Sequence, residues 1–447
     1  MTAHPSATRL LEQETRALLT RLAAIRPFVL QETAVAAAAL SPAATAGIED
    51  HLSAGRRAVR NRAEAYLGWL HGPGTSAPAA DQQKRFWALR LEFQNALAQF
   101  DLFSEVITQR SETDNGVLLS GLDVAAAEAL DLPGGFFEGP PVVCSLHRGL
   151  GGAIRRARTR LPGGGENPVA LIRIPRERMI GYGLASSLVH EVGHQGADLL
   201  GLVDSLRARL HAQRRRPARA WRRWDGWISE IVADLWAVAR IGIGSTLGLI
   251  ALVSLPPAFV FRPSDNDPHP IPYVRVLLSC ALGDALYPDP QWRRLARVWR
   301  AMYPTDGLTP ELSTTIDNLR ATIPDLVAFL LGHRSARLRG QRLGAVLRNR
   351  EVSPDALLRR FAAWDAAPDA PDTTPPTVAF AVLGQARAAG RLSPEREAGL
   401  LRNLLTTWAV TSTLATARAA TGAGVRMFVG QPRVWTARRT DHQLIAI

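Results

Sequence analysis

From Ser6 to Ile107 apolar residues recur every three or four positions, as in "RLLEQETRALLTRLAAI" and "RFWALRLEFQNALAQFDLF". This spacing predicts long amphipathic helices, interrupted by the loop "HGPGTSAPAADQ" at His71 to Gln82. A further helix is expected between Val117 and Asp131, before "DLPGGFFEGPP" breaks the pattern. The texture then changes. "VVCSL" (Val142 to Leu146) and "VALIRIP" (Val169 to Pro175) are short β-branched runs flanked by glycine-rich turns, and they are the expected strands. The second leads within a few residues into a helix that carries "LASSLVHEVGHQGADLL", Leu184 to Leu200.

An arginine and tryptophan segment follows, "RARLHAQRRRPARAWRRWDGW", read as an exposed loop, and then a helix "ISEIVADLWAVARI". The uncharged run Ile241 to Phe261 is long enough for a bilayer, which roughly 20 apolar residues can cross. Its glycines, serines and the pair Pro256-Pro257 favour a buried core helix instead. Beyond Trp292 helical patterning returns. Ser353-Pro354 and Ser393-Pro394 each place a capping serine before a proline at the first helical position. "DAAPDAPDTTPPT", Asp365 to Thr377, reads as a linker. The expected fold class is α+β, predominantly α. It comprises an N-terminal helical region (1–115), a central region with a small sheet (116–300) and a C-terminal helical region (301–447).

Composition changes this picture little. A chain of 447 residues with 47% hydrophobic content fits an ordinary soluble globular protein. The net charge of +13 would suit an acidic partner. However, Lys84 is the only lysine, so the skew to arginine resembles a general compositional bias, and no nucleic-acid-binding module accompanies it. Neither nucleic acid nor membrane is expected as a partner. Cys144 and Cys280 lie far apart without a C-x-x-C pattern, which implies neither a disulfide framework nor a thiolate metal site. The N-terminus lacks the apolar core of a signal peptide, and cytoplasmic residence is the expectation. The oligomeric state is not legible.

Chemistry concentrates in the helix at Leu184 to Leu200. His190 and His194 stand one helical turn apart on one face, where both imidazoles can reach a single zinc ion. Glu191 sits beside them, placed as a general base rather than a ligand. From Ile180 to Ser205 there is no arginine or lysine, unlike the rest of the chain, which points to a buried site. A third ligand is required. Glu230 and Asp234 share one face of an otherwise apolar helix, a costly placement for two acids unless they are paired or metal-bound. In this reading Glu230 is the ligand, and Asp234 accepts a hydrogen bond from a zinc histidine, His190. His211, in the arginine-rich segment, and His269, in "DNDPHPIPYVRV", are the other candidates. His269 or Tyr273 is alternatively the donor to an oxyanion.

H-E-x-x-H followed by E-x-x-x-D resembles the gluzincin branch of zinc metallopeptidases, over Val169 to Arg240, under a fifth of the chain. The resemblance implies a zincin-like catalytic region with one zinc per chain. It implies His190, His194 and Glu230 as ligands, Glu191 as base, Asp234 as supporting acid, and a peptide or protein as substrate. It also likens "NPVALIRIP" to the edge strand above the active-site helix, although the residues alone are equally those of a central strand. One departure is the long gap from His194 to Glu230, filled by the basic tryptophan segment; it is a solvated surface, a rim selecting acidic substrates or a nucleic-acid contact. Two other readings stay open: a helical scaffold with a structural or vestigial zinc site, and a membrane-embedded peptidase.

Overall fold

The three- and four-residue spacing near the N-terminus forms α1 (Pro5–Ala24), α2 (Pro42–His71) and α3 (Ala79–Thr108). Each buries one stripe, and Leu11, Leu18, Tyr66, Phe86 and Phe93 join in a core of their own. Ser41 caps α2 by accepting from the Ala44 N–H at 3.2 Å, and Pro42 occupies the first turn, where its missing N–H costs nothing. The computed structural model describes residues 5–25, 35–149, 151–179, 181–212, 218–263, 267–366 and 374–422.

After α4 (Thr113–Leu130) the chain enters a three-stranded sheet. The two expected strands are β1 (Val142–His147) and β3 (Ala170–Pro175), paired in parallel, with Cys144 opposite Ile172. The short strand β2 (Ala153–Arg155) adds to β3 antiparallel, giving the order β1-β3-β2. The central strand is therefore β3, and the edge strands are β1 and β2. This corrects the likeness of "VALIRIP" to an edge strand. The cause lies in its two-sided burial: Ile172 and Ile174 enter the main core, while Leu171 packs with Ile48, Leu52, Phe100 and Phe103 on the other face.

The outer edge of β1 is closed by side chains rather than by another strand. Asp123 accepts from the Cys144 N–H at 2.7 Å, and Arg110 donates to the Cys144 carbonyl at 2.6 Å. Two residues on, Gln109 accepts from the Leu146 N–H at 2.7 Å and donates to its carbonyl at 2.9 Å. Buried backbone groups must be paired, and here α4 and the turn before it supply the partners. Arg110 and Asp123 also pair with each other in two contacts of 2.9 and 3.1 Å.

Helices make up the rest. They are α5 (Tyr182–Leu199), α6 (Leu202–Ala212), α7 (Ala218–Gly226), α8 (Ile228–Ile241), α9 (Ile243–Val253), α10 (Pro257–Val260) and α11 (Pro272–Leu286), then α12 (Pro290–Met302), α13 (Pro310–Leu331), α14 (Leu343–Leu347), α15 (Pro354–Ala366), α16 (Pro376–Ala388) and α17 (Pro394–Gly422). One hydrophobic core runs from Leu118 to Trp408, so the sheet, α5, α8 and α16 share it across the boundary drawn at 300. Of the linker expected near 365–377, residues 367–373 lie outside the described residues.

Two segments depart from expectation. The arginine and tryptophan segment forms α6 and α7 wherever it is described, instead of a loop. Trp221 and Trp224 of α7 and Trp227 just beyond its end recur every three residues and are buried, and the Trp224 indole donates to Thr322 Oγ1 at 2.9 Å. The run Ile241 to Phe261 is broken into pieces. Gly242, at φ +59°, ends α8 in a conformation that favours glycine, and α9 stops at Val253, before Pro256. No helix among the described residues is long and apolar enough to cross a membrane.

Candidate metal centre

The site depends on how closely two helices approach. α8 is buried on every side except at Ser229, so it runs through the middle of the core. α5 meets it through Gly193 and Gly196. A Cβ on Gly196 would lie 2.3 Å from the Trp236 ring, and one on Gly193 would lie 2.9 Å from the Ala233 Cα. Glycine weakens a helix by about 1 kcal/mol relative to alanine. Here that cost allows α8 to pack against α5 at the level where Glu230 and Asp234 reach the histidines. Trp236 is locked in turn by its indole N–H, which donates to the Ala129 carbonyl at 3.0 Å.

His190, His194 and Glu230 each offer a ligand atom, and these atoms lie within 4.8 Å of one another. His190 Nε2 is 3.2 Å from Glu230 Oε2, and His194 Nε2 is 3.5 Å from Glu230 Oε1. Donors of a tetrahedral ion with bonds of about 2.0–2.1 Å stand roughly 3.3 Å apart, so this spacing suits a small divalent cation. The two imidazoles meet edge to face, with ring centroids 4.9 Å apart. Glu230 Oε2 is buried and has no aligned hydrogen-bond donor, although His190 Nε2 and His269 Nε2 lie within 3.2 and 3.1 Å. A buried carboxylate oxygen without a donor is costly unless a cation satisfies it. The donor set and this oxygen both fit a bound metal.

A second tier holds these side chains. His190 Nδ1 donates to Asp234 Oδ1 at 2.8 Å, which turns Nε2 toward Glu230. Asp234 also receives both arms of Arg275, from Nε at 2.7 Å and from a terminal nitrogen at 2.8 Å. Burial opposes ionisation of Asp234, yet Arg275 and His190 hold its carboxyl below the ordinary range. Burial would lower His190, but Asp234 and Glu230 carry it up to about 9. Glu230 is likewise held low against its burial by the three neighbouring histidines. This is a negative pocket balanced by one buried guanidinium, ready for a cation between the imidazoles.

Glu191 points elsewhere. It is buried, burial raises its pKa, and its side chain packs against Gly152, where a Cβ would lie 2.8 Å from Oε1. Gly151, Gly152, His190, Glu191 and His269 line a cleft of about 350 Å³, whose opposite wall is apolar and built from Leu249, Leu252 and Val253 of α9. The glycines immediately precede β2, so the start of this edge strand lies at the cleft.

The structure thus brings His190, Glu191, His194, Glu230, Asp234 and His269 together. His269 is held by Asp267, which accepts from its Nδ1 at 2.7 Å and its backbone N–H at 3.0 Å. Tyr273 and His211 are elsewhere. Tyr273 is buried against Phe261, with ring centroids 4.9 Å apart and no wall in the cleft; its position on α11 turns it into the core. His211 is exposed on α6 beside Asp225, at 3.1 Å. Arg275 was missed by the sequence reading. Its signal was a lone charge within the apolar run "YVRVLLSC" of α11. No protein-family model, curated protein or solved structure matches the chain.

Proposed function

We propose that the chain is a zinc-dependent metallopeptidase, in which His190, His194 and Glu230 hold the ion and Glu191 is the general base. The observation that carries this reading is the division of labour between two buried glutamates. Glu230 closes the ligand triangle, whereas Glu191 stands beside it and faces the cleft. A purely structural metal site has no use for the second carboxylate and closes its fourth position with a protein ligand.

When bound, zinc would acidify water and polarise a substrate carbonyl. Glu191 takes the proton of the attacking water on its carboxylate and returns it to the leaving nitrogen. Its burial suits the task, since a raised pKa brings a carboxylate closer to the pH at which it must both accept and donate. His269, at the cleft wall with Nδ1 fixed by Asp267 and Nε2 3.1 Å from Glu230 Oε2, is the side chain placed to donate to a developing oxyanion once Glu230 is engaged as a ligand of the ion. Asp234 and Arg275 keep His190 in one tautomer. The substrate extends along the free edge of β2, where backbone pairing orients a peptide across the cleft.

Metal analysis of the purified chain should return about one zinc, lost in His190→Ala. Glu191→Gln should keep the zinc and lose cleavage of a quenched fluorescent peptide library. A Glu191→Gln variant as active as the parent would remove the base assignment and with it the reading.

A further inference from the structure

The wall of the cleft formed by α9 continues outward as an apolar lip. Among the described residues ten large hydrophobic side chains are exposed, and four of them lie in two stretches that meet. Leu255 and Phe259 are 47% and 52% exposed, and Val298 and Met302 of α12 are 53% and 52% exposed. The stretches are joined where the Tyr303 hydroxyl donates to the Leu255 carbonyl at 2.9 Å. Phe261 and Tyr303 pack edge to face behind this junction.

Around the lip positive charge predominates. The solvent side of α12 carries Arg293, Arg294, Arg297 and Arg300 and no acid, while Trp292 and Trp299 anchor its other side in the core. Arg262 lies over the Phe259 ring, 6.0 Å from its centroid. Among the described residues the bordering acids include Asp267, Asp306 and Asp317; Asp267 is paired with His269 at 2.7 Å and Asp317 with Arg320 at 3.2 Å. A helix with one arginine-rich side, next to unpartnered Leu, Phe and Met side chains, has the two components of interfacial membrane binding.

We infer that this face docks on the surface of an anionic lipid bilayer, with Leu255, Phe259 and Met302 entering the headgroup boundary and the arginines of α12 contacting phosphates. Charge decides against a second copy as the occupant. A two-fold contact through this face would set each arginine row against its own image, and like charges facing each other are disfavoured. An anionic surface complements both components. Leu255 also lines the cleft, so docking holds the mouth of the metal site at the bilayer and directs it to membrane-proximal peptide segments. That last step rests on the hydrolytic reading; the docking does not.

Flotation tests it with the full-length chain, using vesicles of phosphatidylcholine alone and vesicles of phosphatidylcholine mixed with phosphatidylglycerol. The chain should float with the mixed vesicles only, and less as salt rises. Leu255→Asp with Phe259→Asp should lower binding about tenfold, and Arg294→Glu with Arg297→Glu should remove the preference for phosphatidylglycerol. All four positions are exposed, so an unchanged thermal melt confirms that the variants fold. Failure to float with the mixed vesicles, equal flotation with both kinds, or variants that bind like the parent would overturn the inference. So would a dimer by light scattering that Leu255→Asp with Phe259→Asp dissolves. Chain stripped of metal should float equally well, which separates this outcome from any failure of the hydrolytic reading.

Discussion

Gly152→Ala offers a sharp test of where Glu191 must stand. The added Cβ would lie 2.8 Å from Glu191 Oε1, 3.2 Å from Cγ and 3.3 Å from Cδ, against an ordinary contact of 3.4–4 Å. The carboxylate must therefore retreat by about 0.6 Å (3.4 minus 2.8) or more. Because it terminates a flexible side chain, it can do so at little cost to the fold. Gly152 also has no left-handed φ, so alanine fits the backbone. Misplacement of a catalytic group by about 1 Å costs roughly a hundredfold, so a tenfold to hundredfold loss in kcat/KM is expected. Metal content should not change, since no ligand is touched, and the thermal melt should stay level or rise slightly. Peptide cleavage, elemental analysis and calorimetry on one preparation give the three readouts. Full activity with unchanged metal would refute the claim that the position of Glu191 governs turnover. Loss of metal would show that the glycine supports the ligands instead.

On the proposed reading, Asp234→Asn should keep the shape of the site but weaken His190, lowering metal affinity by about 10- to 100-fold in competition with a chelator. Asp123→Ala would strand the Arg110 side chain, which is 1% exposed, without its carboxylate and release the Cys144 N–H. A loss of about 3–5 kcal/mol in urea unfolding is expected.

The grouping of His190, His194 and Glu230, which could hold a metal ion, was legible because helical periodicity converts sequence spacing into geometry. His190 and His194 share a face of α5, and Glu230 and Asp234 share a face of α8. Their joining was an inference from cost, since two acids inside an apolar helix need partners. Periodicity could not supply the joining itself: Gly193 and Gly196 set the distance between the helices through contacts with Trp236 and Ala233, some 40 residues away. Arg275 escaped for a similar reason. Its partner Asp234 lies 41 residues back, and a single charge carries no period. β2 is three residues long, too short for alternation to show, and it exists because β3 offers it an edge. Tyr273 was chosen by proximity in sequence, which says nothing about the side of a helix on which a residue falls.

The side-chain closure of β1 has a further consequence. A small sheet ordinarily has two places at which another strand can join, and its strand-pairing valence is two. Asp123, Arg110 and Gln109 occupy one of them permanently, leaving a valence of one, located at β2 beside the cleft. An extended chain meeting this sheet therefore has a single berth, and copies of the protein cannot zip together strand upon strand into a continuous ribbon. The residues that finish the sheet on one side thereby leave β2 as the edge at which a strand can be added to this sheet.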